Sequence, residues 1–331
     1  MATNKTPTIY DVAEQSGVSI STVSRMLNDP GKVNPETRDR ILTVIDRLGF
    51  VPKAEARARA LKSSRRIGVI SPFFTAPSFV QRLRGISAAL SREKFELVIY
   101  SVESTENFNN YIANISMARH LDGLIIMSLP ISNEQLQRLD IPTVLVEVSN
   151  PAINCITIDD EQGGSMAAKY LLSKGHTRFA FIGDSDLPEF SIQPVARRLQ
   201  GFAKALADAG MAIPAEQIAL VPYTQEATQT AAKRLLATST PPTAIFAATD
   251  FQALSLLKAV RRMGIRVPEQ LAIVGFDNLD LAEYADLTTV NQHLDESGKI
   301  AVEVLLNSIA NPHRPIQHIN LPLTIIERET A

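Results

Sequence analysis

From residue 66 onward, short apolar runs alternate with longer amphipathic stretches, and this alternation constrains the fold more than any other feature. The runs are RIGVIS (66–71), FELVIYS (95–101), LDGLIIM (121–127), PTVLVE (142–147), CITID (155–159), RFAFIG (178–183), IALVP (218–222), TAIFAA (243–248), LAIVGF (271–276) and LPLTII (321–326). Continuous apolar strands separated by helices predict parallel sheets that are covered on both faces. Because about 265 residues is long for one such unit, we expect two doubly wound lobes with a boundary near Asp159.

The composition of the 331 residues excludes several classes of protein. Hydrophobic residues make up 45%, which is enough to fill a core, and no apolar run approaches the ~18 residues of a membrane span. The first residues lack the apolar segment of a signal peptide, so we expect a soluble, cytoplasmic protein. The single cysteine, Cys155, excludes a disulfide framework and is expected to be a small core residue.

The formal net charge of −2 conceals an uneven distribution of charge along the chain. Residues 1–66 carry twelve basic and seven acidic residues, a net charge of +5, whereas the remainder carries 21 basic and 28 acidic residues, a net charge of −7. A basic amino-terminal part on an acidic body indicates a polyanionic partner bound at one end. Chance clustering of charges is the alternative explanation.

Residues 8–49 predict three short helices. Thr8 and Asp11 have the spacing of a capping box, and Gly17 allows a tight turn with positive φ. Ser19 can cap the second helix, and Asn34 followed by Pro35 begins the third. The residues expected to face inward are Ile9, Val12, Ala13, Val23, Leu27, Ile41, Leu42, Ile45 and Leu48.

The first two of these helices have the pattern of a helix-turn-helix motif. The second helix is expected to present side chains suited to the major groove, which are Ile20, Ser21, Ser24 and Arg25. Tyr10, Ser19, Thr22 and Asn28 are placed to reach phosphates. An ordinary helical hairpin is the alternative, but the caps, the turn glycine and the basic segment that follows favour DNA binding. Residues 53–66 are helix-permissive, with Leu61 as their one large apolar residue, and predict a linker that folds when bound.

The string TIYDVAEQSGVSISTVSRMLN, followed by VNPETR and GFVP, closely resembles the DNA-binding head of the lactose-repressor (LacI/GalR) family of bacterial transcription regulators. The resemblance continues through DDEQG (159–163), KGH (174–176), RLQGF (198–202), PTAI (242–245), VGFD (274–277) and LTTVNQ (287–292). It implies a homodimer on a pseudopalindromic operator, with Ile20, Ser21 and Arg25 as the specificity set. It also implies a body like that of periplasmic sugar-binding proteins, with a small-molecule effector between the lobes.

The same resemblance implies that the linker forms a hinge helix that enters the minor groove and inserts a leucine between base pairs. The corresponding motif is Ala58-Arg59-Ala60-Leu61, which lies two residues later than usual after Pro52. In the usual register Arg59 would stand where the leucine belongs. Because arginine cannot supply an apolar insertion, we expect Leu61 to be the wedge, with Arg59 beside it at the DNA.

Several residues of the body match family effector positions. Arg198, Asp277 and Gln292 match them directly, and Glu147 matches a polar cleft position less closely. Thr249 stands where an asparagine is common, so the hydroxyl pattern of the ligand is expected to differ from that of a simple galactoside. Phe73, Phe74 and Phe190 follow strand ends and are candidates to pack on a sugar ring.

Structural alternatives accompany these assignments. Arg198 could form a salt bridge on a lobe surface, and Asp277 could cap the following helix. Asp250 is expected to be a helix cap rather than a ligand contact.

Motifs of catalysis and metal binding are absent from the sequence. There is no G-x-x-x-x-G-K-[ST], G-x-G-x-x-G, H-E-x-x-H or G-x-S-x-G string, and the five histidines lack ligand spacing. We therefore predict no enzyme activity, no cofactor and no metal site.

Together these observations predict an all-α helix-turn-helix head (1–52), a hinge (53–65) and an α/β body (66–331). The body is expected to comprise an N-lobe (about 66–158 plus 291–320) and a C-lobe (about 159–290 plus 321–331). The predicted function is that of a DNA-binding repressor controlled by a sugar or sugar derivative. It is expected to be a dimer rather than a tetramer, because no apolar heptad tail follows the last strand. A solute-binding protein and a sugar-processing enzyme using Glu147 and Asp277 as paired acids are the alternatives; the basic head disfavours the former.

Overall fold

The computed structural model describes residues 7–28, 30–48, 50, 64–118, 120–185 and 187–331. The chain divides between Ser64 and Arg65 into two compact units. Within the described residues, no helix is both long and apolar enough to cross a membrane.

The first unit contains the three predicted helices. They are α1 (Ile9–Ser16), α2 (Ile20–Asn28) and α3 (Pro35–Leu48), with a 3-10 turn at Pro30–Lys32. The capping box at the start of α1 is confirmed, because the Thr8 amide donates to the Asp11 carboxylate at 2.6 Å and the Asp11 amide donates to the Thr8 hydroxyl at 3.4 Å. Gly17 has a φ of 64°, as the predicted tight turn requires.

A small core holds these helices together. It consists of Val12, Ala13, Val23, Met26, Val33, Ile41, Val44 and Phe50. The prediction for Leu42 is wrong, because its side chain is 44% exposed, whereas Val44 is 5% exposed. The buried face of α3 therefore follows positions 41, 44, 45 and 48, which is the spacing of one helical face.

In the second unit, one sheet forms the N-lobe. Its strands are β1 (Arg66–Ser71), β2 (Glu96–Ser101), β3 (Gly123–Met127), β4 (Thr143–Val146), β5 (Asn154–Thr157) and β11 (His318–Asn320). They pair in the order β2-β1-β3-β4-β5-β11, and all pairs are parallel. The helices that accompany this sheet are α4 (Pro77–Arg92), α5 (Thr105–Ala118), α6 (Asn133–Arg138) and α12 (Leu294–Ala310).

The other sheet forms the C-lobe. Its strands are β6 (Phe179–Asp184), β7 (Ile218–Val221), β8 (Ala244–Ala247), β9 (Ala272–Asp277), β10 (Thr289–Asn291) and β12 (Thr324–Ile326). Its helices are α7 (Asp160–Ser173), α8 (Pro194–Asp208), α9 (Gln225–Leu236), α10 (Asp250–Arg262) and α11 (Asp280–Tyr284), with a 3-10 turn at Ala215–Gln217. The strand order is β7-β6-β8-β9-β10-β12, in which β12 runs antiparallel to β10.

The prediction of two doubly wound lobes is confirmed, with two corrections. The three-residue strands β10 and β11 had no apolar run long enough to predict them. The run LPLTII was expected to be another parallel strand, but only Thr324–Ile326 is extended in the sheet, and its direction is antiparallel. Cys155 is buried in the core, as predicted.

In each lobe one pair of helices packs backbone against backbone. A side chain at Gly85 in α4 would collide with the Asp295 carbonyl in α12, and one at Gly201 in α8 would collide with the Glu161 carbonyl in α7. These glycines therefore allow each helix pair to approach closely. The close approach fixes the position of an arginine three residues before each glycine, at Arg82 and Arg198.

Candidate functional site

The exposed side of α2 presents the predicted DNA-reading residues. Ile20 is 42% exposed, and Ser21 and Arg25 are also exposed, whereas Ser24 is half-buried. Beside them, the Ser19 hydroxyl lies 2.7 Å from that of Ser21 and accepts a hydrogen bond from the Thr22 amide at 3.2 Å, so Ser19 caps α2 as predicted.

The remaining DNA-contact predictions are only partly covered by the structure. Tyr10 is 66% exposed on α1, where its hydroxyl is accessible to a phosphate. The side chain of Asn28, and all of Arg59 and Leu61, lie outside the described residues.

In the N-lobe, Glu147 and Arg82 form a buried ion pair. Glu147 follows β4 with a φ of 66°, and its carboxylate accepts a hydrogen bond from Arg82 Nη2 at 2.6 Å and another from the Ser128 hydroxyl. Arg82 is fully buried, and its Nε donates to the Ser297 hydroxyl at 2.9 Å. A buried charge requires a counter-charge and hydrogen bonds to compensate for lost hydration, and Glu147 and Ser297 provide both.

In the C-lobe, Arg198 occupies the position that Arg82 has in the N-lobe. Its Nε donates to Asp160 at 2.8 Å and its Nη1 donates to the Ala248 carbonyl at 2.7 Å, while Nη1 lies 3.9 Å from Asp277 Oδ1. The guanidinium carbon lies 3.5 Å from the ring centroid of Phe276. Because Arg198 is only 4% exposed, the alternative of a surface salt bridge is wrong.

Asp277 ends β9 with a φ of 123°, which places a carboxylate at the carboxyl edge of the C-lobe sheet. The alternative that it caps the next helix is wrong, because Leu279 occupies the N-cap position of α11 and no side chain caps it.

Gln292 links the two lobes between β10 and α12. Its Nε2 donates to Asp277 at 2.5 Å, and its Oε1 accepts from Arg82 Nη2 at 3.4 Å. A continuous series of polar contacts therefore runs from Glu147 through Arg82, Gln292 and Asp277 to Arg198. Four of the predicted effector residues belong to this series. Glu147, Asp277 and Gln292 lie at the ends of strands, where ligands bind in open α/β sheets, and Arg198 reaches them from α8.

The pKa values of the two acids of this series, Glu147 and Asp277, are shifted in opposite directions. Burial alone would raise the pKa of Glu147, but Arg82 and Ser128 outweigh burial and hold that pKa below its usual value. Burial raises the pKa of Asp277 to about 6, because Arg198 and Gln292 offset only part of the cost of desolvation. Burial likewise raises the pKa of Asp160 despite its contact with Arg198.

The structure assigns the cap of α10 to Thr249 rather than to Asp250. Thr249 is the N-cap of α10, because its hydroxyl accepts from the Gln252 amide at 3.2 Å. The prediction that Asp250 caps the helix is wrong, since its carboxylate accepts from the Leu279 amide at 2.8 Å and the Thr289 hydroxyl at 2.6 Å. The buried Asp250 side chain thus connects α10 to β10 through Thr289 and to the loop before α11 through Leu279.

The three predicted phenylalanines do not form one stacking surface. Phe73 packs edge-on against Phe79 at 5.9 Å between centroids, whereas Phe74 and Phe190 pack against two different apolar clusters of the N-lobe. A different aromatic residue, Tyr223, lies near the acids: burial and the charge of Asp277 raise its pKa, and its ring lies 4.7 Å from that of Phe251.

Sequence reasoning missed Arg82, Ser128, Asp160 and Tyr223. One signal could have found Arg82, because RLRGI (82–86) repeats the pattern of RLQGF (198–202). Among the described residues, no group of three or more His, Cys, Asp or Glu side chains is arranged to hold a metal ion.

Comparison with known proteins agrees with both parts of the chain. Residues 8–53 match bacterial regulatory proteins of the lacI family, and residues 168–331 match the periplasmic binding protein-like domain. Catabolite control protein A of Priestia megaterium is 33% identical over 334 residues, covering 98% of this chain and 99% of that protein.

Two solved structures cover almost all of the chain. One is the lac repressor dimer bound to operator and the anti-inducer ONPF, with a TM-score of 0.80 and 26% identity over 98% of this chain and 99% of that one. The other is the complex of the transcriptional regulator CelR with cellobiose, with a TM-score of 0.69 and 28% identity over 98% of this chain and 100% of that one.

Proposed function

The chain belongs to the lacI family of bacterial regulatory proteins, and we propose that it is a sequence-specific repressor controlled by a sugar or sugar derivative bound between its lobes. It is a transcriptional regulator of that family, and membership at this level supports a non-enzymatic role. The observation that carries the proposal is the buried polar series from Glu147 to Arg198, which joins both lobes at the strand ends.

The DNA-binding part of the proposal assigns residues 1–52 to the head. Ile20 would contact a thymine methyl group, Arg25 would donate to a guanine, and Ser21 and Ser24 would bond to base edges. Tyr10, Ser19, Thr22 and Asn28 would contact phosphates and fix the position of α2 on the duplex. Two heads of a homodimer would occupy the two halves of a pseudopalindromic site.

The hinge part of the proposal concerns residues 53–65. This segment would fold against the minor groove, with Leu61 inserted between base pairs and Arg59 beside it. The body, residues 66–331, would provide the dimer contacts and the effector cleft.

The effector part of the proposal uses the buried series. Arg198 would donate to ligand oxygens, while Glu147 and Asp277 would accept hydroxyl protons and Gln292 could do either. Tyr223 lies near Asp277, and Thr249 lies near Tyr223, so both would border the sugar ring. A ligand that bonds to both lobes stabilises one relative arrangement of the lobes, and through the hinge it favours one arrangement of the heads.

Selection of DNA from a random-sequence pool with the full chain tests this proposal. We expect the wild type to enrich a pseudopalindrome and to bind it less tightly as salt rises, because phosphate contacts release counterions. Arg25→Ala should relax selection at one base of each half-site and weaken binding by about 1–3 kcal/mol per half-site. Arg92→Gln, on an exposed part of α4, is the matched control and should select the same site. Failure of the wild type to enrich any sequence would contradict the proposal.

A further inference from the structure

The two lobes repeat a short motif at equivalent places in the fold. Arg82-Leu83-Arg84-Gly85-Ile86 lies in α4, which follows β1, and Arg198-Leu199-Gln200-Gly201-Phe202 lies in α8, which follows β6. β1 and β6 hold the same position in their sheets, and both helices begin with a proline.

The helix contacts around the two arginines are also equivalent. A side chain at Gly298 in α12 would collide with the Arg82 carbonyl, and one at Gly164 in α7 would collide with the Arg198 carbonyl. In each lobe, therefore, a glycine allows the neighbouring helix to pack directly against the backbone carbonyl of the arginine. The same close packing positions both arginines.

The acid near each arginine is equivalent as well. Glu147 follows β4 and Asp277 ends β9, which are the fourth strands in the two sheet orders. Both residues have a positive φ, of 66° and 123° respectively. This backbone conformation is uncommon outside glycine and often accompanies binding sites.

The two arginines differ in how completely they are satisfied. Arg198 bonds to Asp160 and to the Ala248 carbonyl within its own lobe. Arg82 Nη1 is buried and has no hydrogen-bond partner among the residues that the structure describes. An unsatisfied buried donor is costly, which points to an acceptor that a ligand supplies.

We propose that Arg82 is the N-lobe's ligand-binding residue, the counterpart of Arg198, and that the two arginines together bind an uncharged polyol rather than a phosphorylated one. This inference rests on the proposed function, since it concerns the same cleft. Neither the sequence motifs nor the family resemblance assigned a ligand contact to Arg82.

The charges around the two guanidinium groups explain the preference for an uncharged ligand. Arg82 is balanced by Glu147, and Arg198 by Asp160 with Asp277 nearby, so the acids outnumber the arginines. A phosphate would meet no excess of positive charge, and its desolvation would go uncompensated. A hydroxyl group can accept from a guanidinium and donate to a carboxylate at the same time, so it satisfies both members of each pair.

Isothermal titration calorimetry of the full-length chain tests this inference. It measures the affinity for D-ribose, D-glucose, D-galactose and cellobiose, and for the monophosphates of the three monosaccharides. We expect an uncharged sugar to bind and the phosphates to bind at least about tenfold more weakly. The variant Arg82→Gln/Glu147→Gln removes both charges together, so that no lone charge is left buried. It should weaken binding of that sugar by about tenfold or more, as loss of a charged hydrogen bond predicts.

Three controls separate ligand binding from folding. The first control follows the thermal unfolding of each variant in parallel. In the second, Arg82→Lys retains the positive charge but lacks the planar guanidinium, so its affinity for the sugar should lie between that of the wild type and that of the double variant. In the third, Arg92→Gln should bind the sugar as the wild type does. Tighter binding of a phosphate, unchanged affinity in the folded double variant, or no binding of any sugar would each overturn the inference. DNA selected by the wild type is titrated with the same preparations, so loss of specific DNA binding would contradict the proposed function separately.

Discussion

The two lobes of the body share a strand order and a buried arginine, yet they hold that arginine differently. In the C-lobe, Arg198 is bonded to a carboxylate and a carbonyl of its own lobe. In the N-lobe, Arg82 is bonded to Glu147 and also reaches Gln292, which is bonded in turn to Asp277 of the other lobe. Arg198 is thus held by groups of its own lobe, whereas Arg82 also bonds to Gln292, whose other hydrogen bond, to Asp277, links the lobes.

We propose that the C-lobe arginine is a fixed ligand-binding group and that the N-lobe arginine is a conditional one. A group whose partners lie in its own lobe is preorganised and lowers the entropic cost of binding a ligand. A group that bonds to a residue linking the lobes, as Arg82 bonds to Gln292, changes its surroundings when the lobes move, and so it can link ligand binding to another site.

The largest expected effect comes from removing the C-lobe arginine. Arg198→Met leaves Asp160 and Asp277 buried without their cation, so we expect a loss of about 3–5 kcal/mol in the free energy of unfolding. Arg82→Met leaves one carboxylate, Glu147, and should cost less. Urea unfolding followed by circular dichroism measures both, with Arg92→Gln as the control that should not change. A larger loss for Arg82→Met would reverse the comparison of the lobes.

The pH dependence of stability should separate the two acids. The pKa of folded Asp277 is about 6, above its ordinary value of 3.8, so its contribution to stability is full below about pH 3.8 and is lost as the pH rises from there to about 6. The pKa of Glu147 is lowered, so that acid adds stability above its ordinary value of 4.5, and this is lost only as the pH falls through the lowered value.

Asp277→Asn should therefore flatten the decline in stability between about pH 4 and 6, by at most about 3 kcal/mol. Glu147→Gln should leave that decline in place and reduce the loss of stability in acid instead. Unfolding measured from about pH 3 to about pH 7 checks both variants. An unaltered decline in Asp277→Asn would show that another group titrates there.

The glycines of the helix pairs should behave alike in the two lobes. Gly201→Ala and Gly85→Ala each place a methyl group against a backbone carbonyl, which cannot move aside as a side chain can. We expect each substitution to lower the free energy of unfolding by about 1–3 kcal/mol, even though alanine is favoured over glycine in a helix by roughly 1 kcal/mol. Ser87→Ala, on an exposed turn of α4, should change the thermal midpoint little. A rise in that midpoint for either glycine variant would disprove the close packing.

The smallest effect concerns an ion pair outside the cleft. Arg84 of α4 contacts Asp280 of the C-lobe and Asp295 of α12, and it is half-exposed. Asp280→Asn should lower stability by less than about 1 kcal/mol, and the difference should shrink at high salt. Glu134→Gln is the control, because it breaks the exposed ion pair between Glu134 and Arg138 within α6. A loss of several kcal/mol for Asp280→Asn alone would mean that this contact, rather than the cleft, joins the lobes.

Local sequence signals predicted much of the fold. The apolar runs located all of the described strands except β10 and β11, because a buried strand needs a continuous apolar segment. Strands β10 and β11 were missed because three residues carry little pattern and their pairing is set by distant parts of the chain. The antiparallel direction of β12 is equally non-local and had no signature in LPLTII.

The site was harder to predict than the fold. Arg198, Asp277, Gln292 and Glu147 were predicted through family resemblance, and the structure brings them into one polar series with Arg82. Arg82 was missed because an arginine on an amphipathic helix usually faces solvent, and only its pairing with Glu147 and Ser297 makes burial possible. The cap of α10 was assigned to Asp250 instead of Thr249 because a cap can lie at either of two adjacent polar residues until the first helical turn is known.

The most direct test of the account is the affinity of the full chain for its selected DNA, measured by fluorescence anisotropy with and without the sugar that binds the cleft. We expect the sugar to change the wild-type dissociation constant by about 5- to 150-fold, which corresponds to a coupling of about 1–3 kcal/mol. In Arg82→Gln/Glu147→Gln the same change should require at least about tenfold more sugar. A wild-type affinity that stays constant while the cleft is saturated would contradict the account.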